Sequence, residues 1–322
     1  MTVETQTSSP QPLERPRVLV LYGGPDAERA VSIESGRGVA AALVELGRFD
    51  VLPLEIETVT AMELLAHDPD VVFPVLHGRW GEGGPLQEIL EASGVPYVGS
   101  GPKASALAMD KLVTKTMAAA TGVPTPRSQA IALGDAVDIR PPLVIKPIDE
   151  GSSVDLRICR TSDEVERGLA EILPRRRRLM LERYVTGREI TAGVVLGEVL
   201  PLIEISAASG VYDYEAKYHR DDTRYVLDPA LPKGVSDAIR LHALAMYRLL
   251  GCRDLARVDF MVDEQGPWLL EVNTLPGFTS HSLVPMAARH AGISMPELCG
   301  RLVDAARRRG TVPSSSRRSA VH

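Results

Sequence analysis

The sequence predicts an α/β (α+β) protein, with a βαβ-type parallel first domain followed by regions of antiparallel strands. Three observations carry that prediction. Over residues 17–98, apolar runs of strand length end in Gly-bearing turns and alternate with a helix-spaced segment. Farther on, strand-length runs follow one another with only short turns between them, as 189–196 with 199–205 and 256–263 with 267–272. Apolar residues make up 44% of the 322 positions, which is core material for two or three domains and too much for general disorder.

Residues 17–22 (RVLVLY) read as a buried parallel strand stopped by Gly23-Gly24. Helical spacing follows over 28–47, with Val31, Ser35, Val39, Leu43 and Leu46 on one side. A second strand is expected at 51–54 and a third at 70–76, ending at His77-Gly78. A helix at 84–93 and a short strand at 96–98 complete the unit. Ligands of such sheets sit at the carboxyl ends of strands, where Gly23-Gly24 and His77-Gly78 both fall. Residues 103–121 read as a helical stretch of good helix formers, broken off by Pro124 and Pro126. A strand at 142–147 (PLVIKP) runs into the turn Asp149-Glu150-Gly151-Ser152-Ser153, and one at 179–182 precedes Arg183-Tyr184 and a turn at Gly187. Segment 207–226 is polar and aromatic with little periodicity, a long loop of the kind that is often functional. A helix is expected at 235–251, and 280–309 reads as mostly helical.

With 36 basic and 42 acidic residues the net charge is -6, which lacks the basic footprint of a nucleic-acid binder. The run Arg175 to Arg178 is either a phosphate patch or, as the acidic context favours, a solvated turn. Cys159, Cys252 and Cys299 are too far apart for a metal spacing and suggest a reduced, cytosolic protein. The first sixteen residues have no signal-peptide pattern, and no apolar run reaches the ~18–20 residues of a membrane span. Only six of the 36 cations are lysines: Lys103, Lys111, Lys115, Lys146, Lys217 and Lys233. Base composition accounts for such a bias, yet each lysine that survives it is a candidate for a role arginine cannot fill.

The sharpest constellation lies on the last two strands. Arg257 and Asp259 are two apart, as are Glu271 and Asn273, so pairing would put all four on one face. Two carboxylates and an amide oxygen are hard ligands suited to Mg²⁺ beside phosphates, with an arginine to meet phosphoryl charge; the other reading is an inter-strand salt bridge. Lys146 ends a strand just before the Gly151-Ser152-Ser153 turn, whose N–H groups could meet phosphate oxygens, although no GxxxxGK[ST] loop exists. Lys111 is a phosphate ligand or an exposed helix lysine. Lys217 lies among Tyr212, Tyr214 and Tyr218 in the long loop, as in a lid that excludes water. Ser282 opens a helix, as a cap or beside a carboxylate site. Glu28 could take a substrate ammonium or merely sit in a first turn, and His77 has no second histidine near it.

Eight motifs in order extend these observations: GGPDAERAVS (23–32), LHGRWGE (76–82), GSGPKASALAMDK (99–111), IKPIDEGSSV (145–154), LERYVTGREIT (181–191), VYDYEAKY (211–218), ARVDF (256–260) and LEVNTLPGFTSHSLVPMAAR (270–289). Through them the chain resembles the D-alanine–D-alanine ligases of the ATP-grasp superfamily over about residues 17–309. The resemblance implies an N-terminal Rossmann-like domain (17–102), a central domain (103–186) and a C-terminal domain (187–310) with a lid at about 206–226. An arm (1–16) and a tail (311–322) flank them, and the antiparallel sheets of the last two domains would sandwich ATP. It further implies that Lys111, Lys146 and Lys217 meet the phosphates, Glu182 the adenine and Glu189 the ribose, and that Asp259, Glu271 and Asn273 hold two Mg²⁺ (or Mn²⁺) ions. Glu28 would bind the ammonium of the first D-alanine near His77, in a triad with Ser152 and Tyr218. Arg257 and the Gly277 N–H would form an oxyanion hole, and Ser282 with the Leu283 N–H would take the second carboxylate. A cytoplasmic homodimer is implied, with ATP and D-alanine as partners and neither nucleic acid nor membrane.

Three departures from the family pattern stand out. Asp155 occupies a position usually held by Gly, Gly83 and Pro85 replace an Asp and a Thr, and the hinge lysine is Arg183. Asp155 is expected to point away from the nucleotide. The competing readings are a D-alanine–D-lactate or D-alanine–D-serine ligase, which would carry a different lid from one with Tyr218, another ATP-grasp carboxylate–amine ligase, and a catalytically dead nucleotide binder.

Overall fold

The structure is a computed structural model that describes residues 15–151, 155–176, 178–206 and 223–310. β1 (Arg17–Gly23) is the middle strand of a parallel sheet, flanked by β2 (Asp50–Ile56) and β3 (Val71–Pro74). Its side chains alternate between two cores, which is why RVLVLY is an unbroken apolar run. Val18 and Val20 pack with Val39 and Leu43 of α1 (Arg29–Leu46), while Leu19 and Leu21 meet Leu64 of α2 (Ala61–Ala66) and Leu90 of α4 (Pro85–Ser93). Between β3 and α4 the chain makes the short α3 (Gly78–Glu82). Gly23 ends β1 with φ 103°, and a Cβ there would lie 2.4 Å from the Ile56 carbonyl oxygen, so the turn requires glycine.

Several expectations change here. β3 stops at Pro74 rather than 76, although the Val75 N–H still donates to the Leu21 carbonyl at 2.8 Å. The strand expected at 96–98 is a single bridge between Val72 and Tyr97. The helical stretch at 103–121 is two helices, α5 (Pro102–Met109) and α6 (Lys111–Ala120). Asp110 separates them because its carboxylate accepts the Val113 N–H at 3.0 Å and caps the second helix.

A second sheet is antiparallel, in the order β4 (Ser128–Ile131), β7 (Leu179–Arg183), β5 (Leu143–Pro147), β6 (Arg157–Cys159). One face is closed by α7 (Ser162–Ile172), whose Val165 and Ile172 join Leu143, Ile145 and Leu181. The third sheet runs β11 (Arg224–Leu227), β10 (Ile203–Ser206), β8 (Arg188–Val195), β12 (Leu255–Asp263), β13 (Gly266–Asn273), with β9 (Glu198–Val199) paired to β8. It packs on α8 (Lys233–Leu250) through Ile239, Ala243, Met246 and Leu250. The expected loop 207–226 is shorter at its end, because Arg224 onward is strand; residues 207–222 lie outside the described residues.

The helical stretch at 280–309 is likewise two helices, α9 (Leu283–His290) and α10 (Met295–Arg309), which return the chain to the first sheet. Phe278 meets Phe73 edge to face at 5.6 Å, and buried Asp254 accepts the Gly99 N–H at 2.7 Å while pairing with Arg309. All three cysteines are buried free thiols, and no helix among the described residues is long and apolar enough to cross a membrane.

Candidate active site

The period-two expectation for the last strands is met residue by residue. Arg257 lies opposite Asn273 and Asp259 opposite Glu271, with a bulge just after Asp259. Arg257 grips Asp259 with two nitrogens, Nε at 3.0 Å from Oδ1 and an Nη at 2.9 Å from Oδ2. Thr191, across from Asp259 on β8, donates its hydroxyl to Oδ1 at 2.6 Å. Glu271 has its own cation, Lys111 Nζ at 3.3 Å, which also donates to the Glu150 carbonyl at 2.6 Å. Lys111 is therefore a buried cleft residue at the start of α6 and not an exposed helix lysine. Among the described residues, the ion pairs of these carboxylates run along β12 and across to α6. Among the described residues no three His, Cys, Asp or Glu side chains cluster as a metal site. The set is two carboxylates and the Asn273 amide, whose Oδ1 accepts the Leu275 N–H at 2.9 Å. Such hard oxygen donors fit Mg²⁺, which keeps waters and phosphate oxygens among its ligands.

A cleft of about 700 Å³, open to solvent, gathers most of the other expected residues: Glu28 and His77 from the ends of the parallel strands, with Arg257, Gly277, Ser282 and Leu283 from the C-terminal region. Glu271 and Asn273 line it too and also line the neighbouring cleft around Lys111. Glu28 stands at the N-cap of α1, but its side chain makes no cap hydrogen bond. The carboxylate is buried against Gly151, where a Cβ would come within 3.2 Å of Oε2. Burial holds the His77 imidazole below its ordinary pKa despite nearby Glu28, so the ring is neutral at pH 7. One side of the ring bonds the Leu275 backbone, and Nε2 is buried without a hydrogen-bond partner among the described residues. Ser282 occupies the N-cap of α9, yet its Oγ accepts the Thr279 N–H at 2.8 Å instead of capping the helix. A Cβ on Gly277 would lie 2.8 Å from that Oγ, so glycine keeps the backbone close to it.

Across the cleft, Glu182 on β7 is buried between two lysines. Its Oε2 is 2.5 Å from Lys146 Nζ, and its Oε1 pairs with Lys115. Burial alone would push the Glu182 carboxyl up; the two ammonium groups more than offset that and hold it below the usual carboxylate range. Glu189 is half-buried on β8, two residues from Thr191 and so on the face that carries Asp259. Arg183 lays its guanidinium over the Trp268 ring at 4.6 Å, joining the second sheet to the third. Ser152, Lys217 and Tyr218 lie outside the described residues.

The arginine run follows the end of α7 as a largely solvated turn, with Arg175 and Arg178 exposed, and it also carries ion pairs. Arg176 pairs with Asp155 at 2.7 Å and with Glu150 at 2.6 Å, while Arg178 pairs with Asp110 at 2.7 Å. These arginines fasten the turn after β5 to α6. Asp155 has φ 55° and directs its carboxylate to Arg175 and Arg176. Three residues of the site carried no assigned role in the sequence: Lys115, Thr191 and Glu82. Glu82 lines both clefts, and burial, with Glu28 close by, raises its carboxyl well above the usual range while the Gly78 N–H donates to it at 3.2 Å. Its signal was a carboxylate inside the LHGRWGE motif; Lys115 had only its rarity as a lysine, and Thr191 had none.

The description "D-ala D-ala ligase C-terminus" belongs to a family model matching residues 128–304, and "D-ala D-ala ligase N-terminus" to one matching 59–100. A D-alanine–D-alanine ligase of Bordetella petrii is 43% identical over 300 residues, covering 90% of this chain and 92% of the relative. One from Marinobacter nauticus is 45% identical over 301 residues, covering 89% and 90%. Among solved structures, the D-alanine–D-alanine ligase of Bacillus anthracis superposes with a TM-score of 0.82 at 33% identity, covering 92% of this chain and 98% of that one. The same enzyme complexed with ATP gives 0.80 at 31% identity, with the same coverage. On sequence and on fold alike, the chain belongs to the D-alanine–D-alanine ligase family.

Proposed function

We infer that the protein joins two D-alanine molecules into D-alanyl-D-alanine, converting ATP to ADP and phosphate through a D-alanyl phosphate. The observation that carries this reading is the convergence in one cleft of Glu28 and His77 with Arg257, Glu271, Asn273 and Ser282, beside Lys111. In this reading ATP lies between the antiparallel sheets, with domain divisions near residues 102 and 186. Glu182 and the backbone after it hold adenine, Glu189 the ribose, and Lys111, Lys146 and Lys217 the phosphates. Asp259, Glu271 and Asn273 hold two Mg²⁺ or Mn²⁺ ions, whose chemistry is to neutralise phosphate oxygens during transfer.

The ammonium of the first D-alanine binds the Glu28 carboxylate, and neutral His77 offers its unpartnered Nε2 beside it. That amino acid's carboxylate attacks the γ-phosphorus, giving an acyl phosphate and ADP, with Lys and Arg side chains meeting the charge. Ser152 and Tyr218, joined to Glu28, shield the acyl phosphate from water. The amine of the second D-alanine, its carboxylate held by Ser282 and the Leu283 N–H, attacks the acyl carbon. Arg257 and the Gly277 N–H hold the resulting oxyanion, which collapses as the attacking nitrogen gives up a proton and phosphate leaves. The reading includes a cytoplasmic homodimer; three buried free thiols suit a reducing compartment, and sedimentation of the purified protein tests the dimer.

The test is purified protein with ATP, Mg²⁺ and D-alanine, with the product identified by mass. D-alanyl-D-alanine formed in step with phosphate release is the expected result. Phosphate release without the dipeptide would overturn the reading, and preferential use of D-lactate or D-serine in competition would replace the second substrate.

A further inference from the structure

Lys115 is the most buried lysine among the described residues, and neither the sequence nor the reaction assigns it a part. It sits on α6 one turn after Lys111, with its ammonium on Glu182 Oε1 and 2.5 Å from the Thr125 hydroxyl oxygen. That hydroxyl in turn donates to the Leu269 carbonyl at 2.8 Å, so the lysine is fixed from the third sheet as well. Lys146 holds the other oxygen of the same carboxylate. The side chains of Lys115 and Glu182 are each 3% exposed, against 10% for Lys146. One lysine is enough to neutralise one buried carboxylate, and a second ammonium brought out of water adds desolvation with no charge left to answer it. The surplus cation is intelligible if an anion arrives to claim it, and Lys146 is the more exposed of the two.

We propose that Lys115 is a positioning residue for nucleotide binding: it keeps Glu182 paired, which lets Lys146 turn its charge to the phosphates of ATP. The inference rests on the ligase reading of the same cleft. In the present structure both oxygens of Glu182 are taken by lysines. When Lys146 turns to a phosphate, Glu182 would be left as an unpaired carboxylate in the interior, unless Lys115 stays. Without Lys115, Glu182 and Lys146 form a closed one-to-one pair, and ATP must break it. Lys115 touches no substrate in this scheme; it acts through Glu182.

The test uses the full-length protein and ATP binding by calorimetry, with KM for D-alanine followed in parallel. Wild-type protein must first bind ATP; failure there counts against the ligase reading and says nothing of Lys115. Lys115→Met is expected to weaken ATP binding by about tenfold or more while leaving KM for D-alanine near its original value. Added to Glu182→Gln, the same change should leave ATP affinity where Glu182→Gln alone puts it, because Lys115 acts only through that carboxylate and any lost adenine contact is common to both variants. A single variant that binds ATP within about twofold of wild type, or a double variant that differs by about tenfold from Glu182→Gln alone, would overturn the proposal. Should Lys115→Met not fold alone, Glu182→Gln is compared with the double variant. Equal ATP affinity is expected, since Lys115 acts only through the missing carboxylate, and a difference of about tenfold would overturn it.

Discussion

Asp259 and Glu271 on the β12–β13 ladder each have a cation of their own, whereas Glu182 on β7 holds two. The first wall is open at Glu271, whose side chain is 27% exposed, and buried at Asp259, at 8%; the second is sealed at Glu182, at 3%. On the open wall each carboxylate has one cation among the described residues, and the proposed reading has a divalent cation take the place of the lysine and arginine there. Charge on the sealed wall is unbalanced by one ammonium group, so it awaits an anion. In the proposed reading, a nucleotide with its metal would supply both, which would account for the difference between the walls.

The sealed wall gives the largest expected effect. Glu182→Gln leaves two buried ammonium groups facing each other, and should lower the unfolding free energy by about 3–5 kcal/mol, measured by chemical denaturation. Lys115→Met in the same protein should return most of that loss, since the pair then carries one buried charge fewer. A stability loss in Glu182→Gln no larger than that of an exposed substitution would remove the contrast between the walls. On the open wall, Arg257→Met should lower kcat by about 100- to 1000-fold in steady-state assays, as expected for loss of a cation facing developing negative charge. Asp259 keeps the Thr191 hydroxyl in that variant, so the structural cost should be smaller than for Glu182.

Titration separates the walls further. Burial lowers the Lys115 pKa to about 8, in spite of Glu182 beside it and with Lys146 adding to the fall; these are the charged groups facing it from β7 and β5. The unfolded chain keeps that proton up to about 10.5, so between the two values it binds more protons than the folded one, and Lys115's own contribution makes stability rise with pH across that window. ATP binding should move the opposite way. A neutral Lys115 surrenders Lys146 to Glu182, and ATP affinity should fall as pH rises through about 8, by up to about tenfold per unit. Calorimetric titration at several pH values checks the sign. Affinity that stays flat across that range would mean the sealed wall does not exchange its cation.

The two walls also differ in how far the sequence reveals them. Arg257, Asp259, Glu271 and Asn273 are legible because strand periodicity puts them on one face, and a two-residue spacing survives folding unchanged. Lys115 is not, because its partner Glu182 lies 67 residues away on a different element, and helix periodicity does not reveal which lysine will be buried. The same limit hid the partners of Arg176 and Arg178: Glu150, Asp155 and Asp110 reach them only once the chain has folded. Local breaks were hidden in another way. Good helix formers stand on both sides of Asp110, and only its capping bond to Val113 divides the stretch. Helix α7 did carry readable signals, a Thr161 cap and the spacing of Val165, Leu169 and Ile172, whereas β4, β6 and β11 are short strands with weak patterns.

Asp155, at the end of the sealed wall, gives the smallest effect and separates two terms of opposite sign. Its φ of 55° lies in the left-handed region, which costs a non-glycine residue about 1–2 kcal/mol. Its carboxylate, 12% exposed, recovers some of this through Arg175 at 3.1 Å and Arg176 at 2.7 Å. Both arginines are more exposed, so each pair is worth about 0–1 kcal/mol. Asp155→Ala keeps the strain and loses the pairs, and should destabilise by about 1 kcal/mol or somewhat more. Asp155→Gly loses the pairs but relieves the strain, and should fall within about 1 kcal/mol of wild type. The gap between the two variants in chemical denaturation then measures the backbone term alone. If alanine and glycine behave alike, the left-handed conformation is not being held at that position, and the arginine run serves only as a charge clamp on the turn after β5.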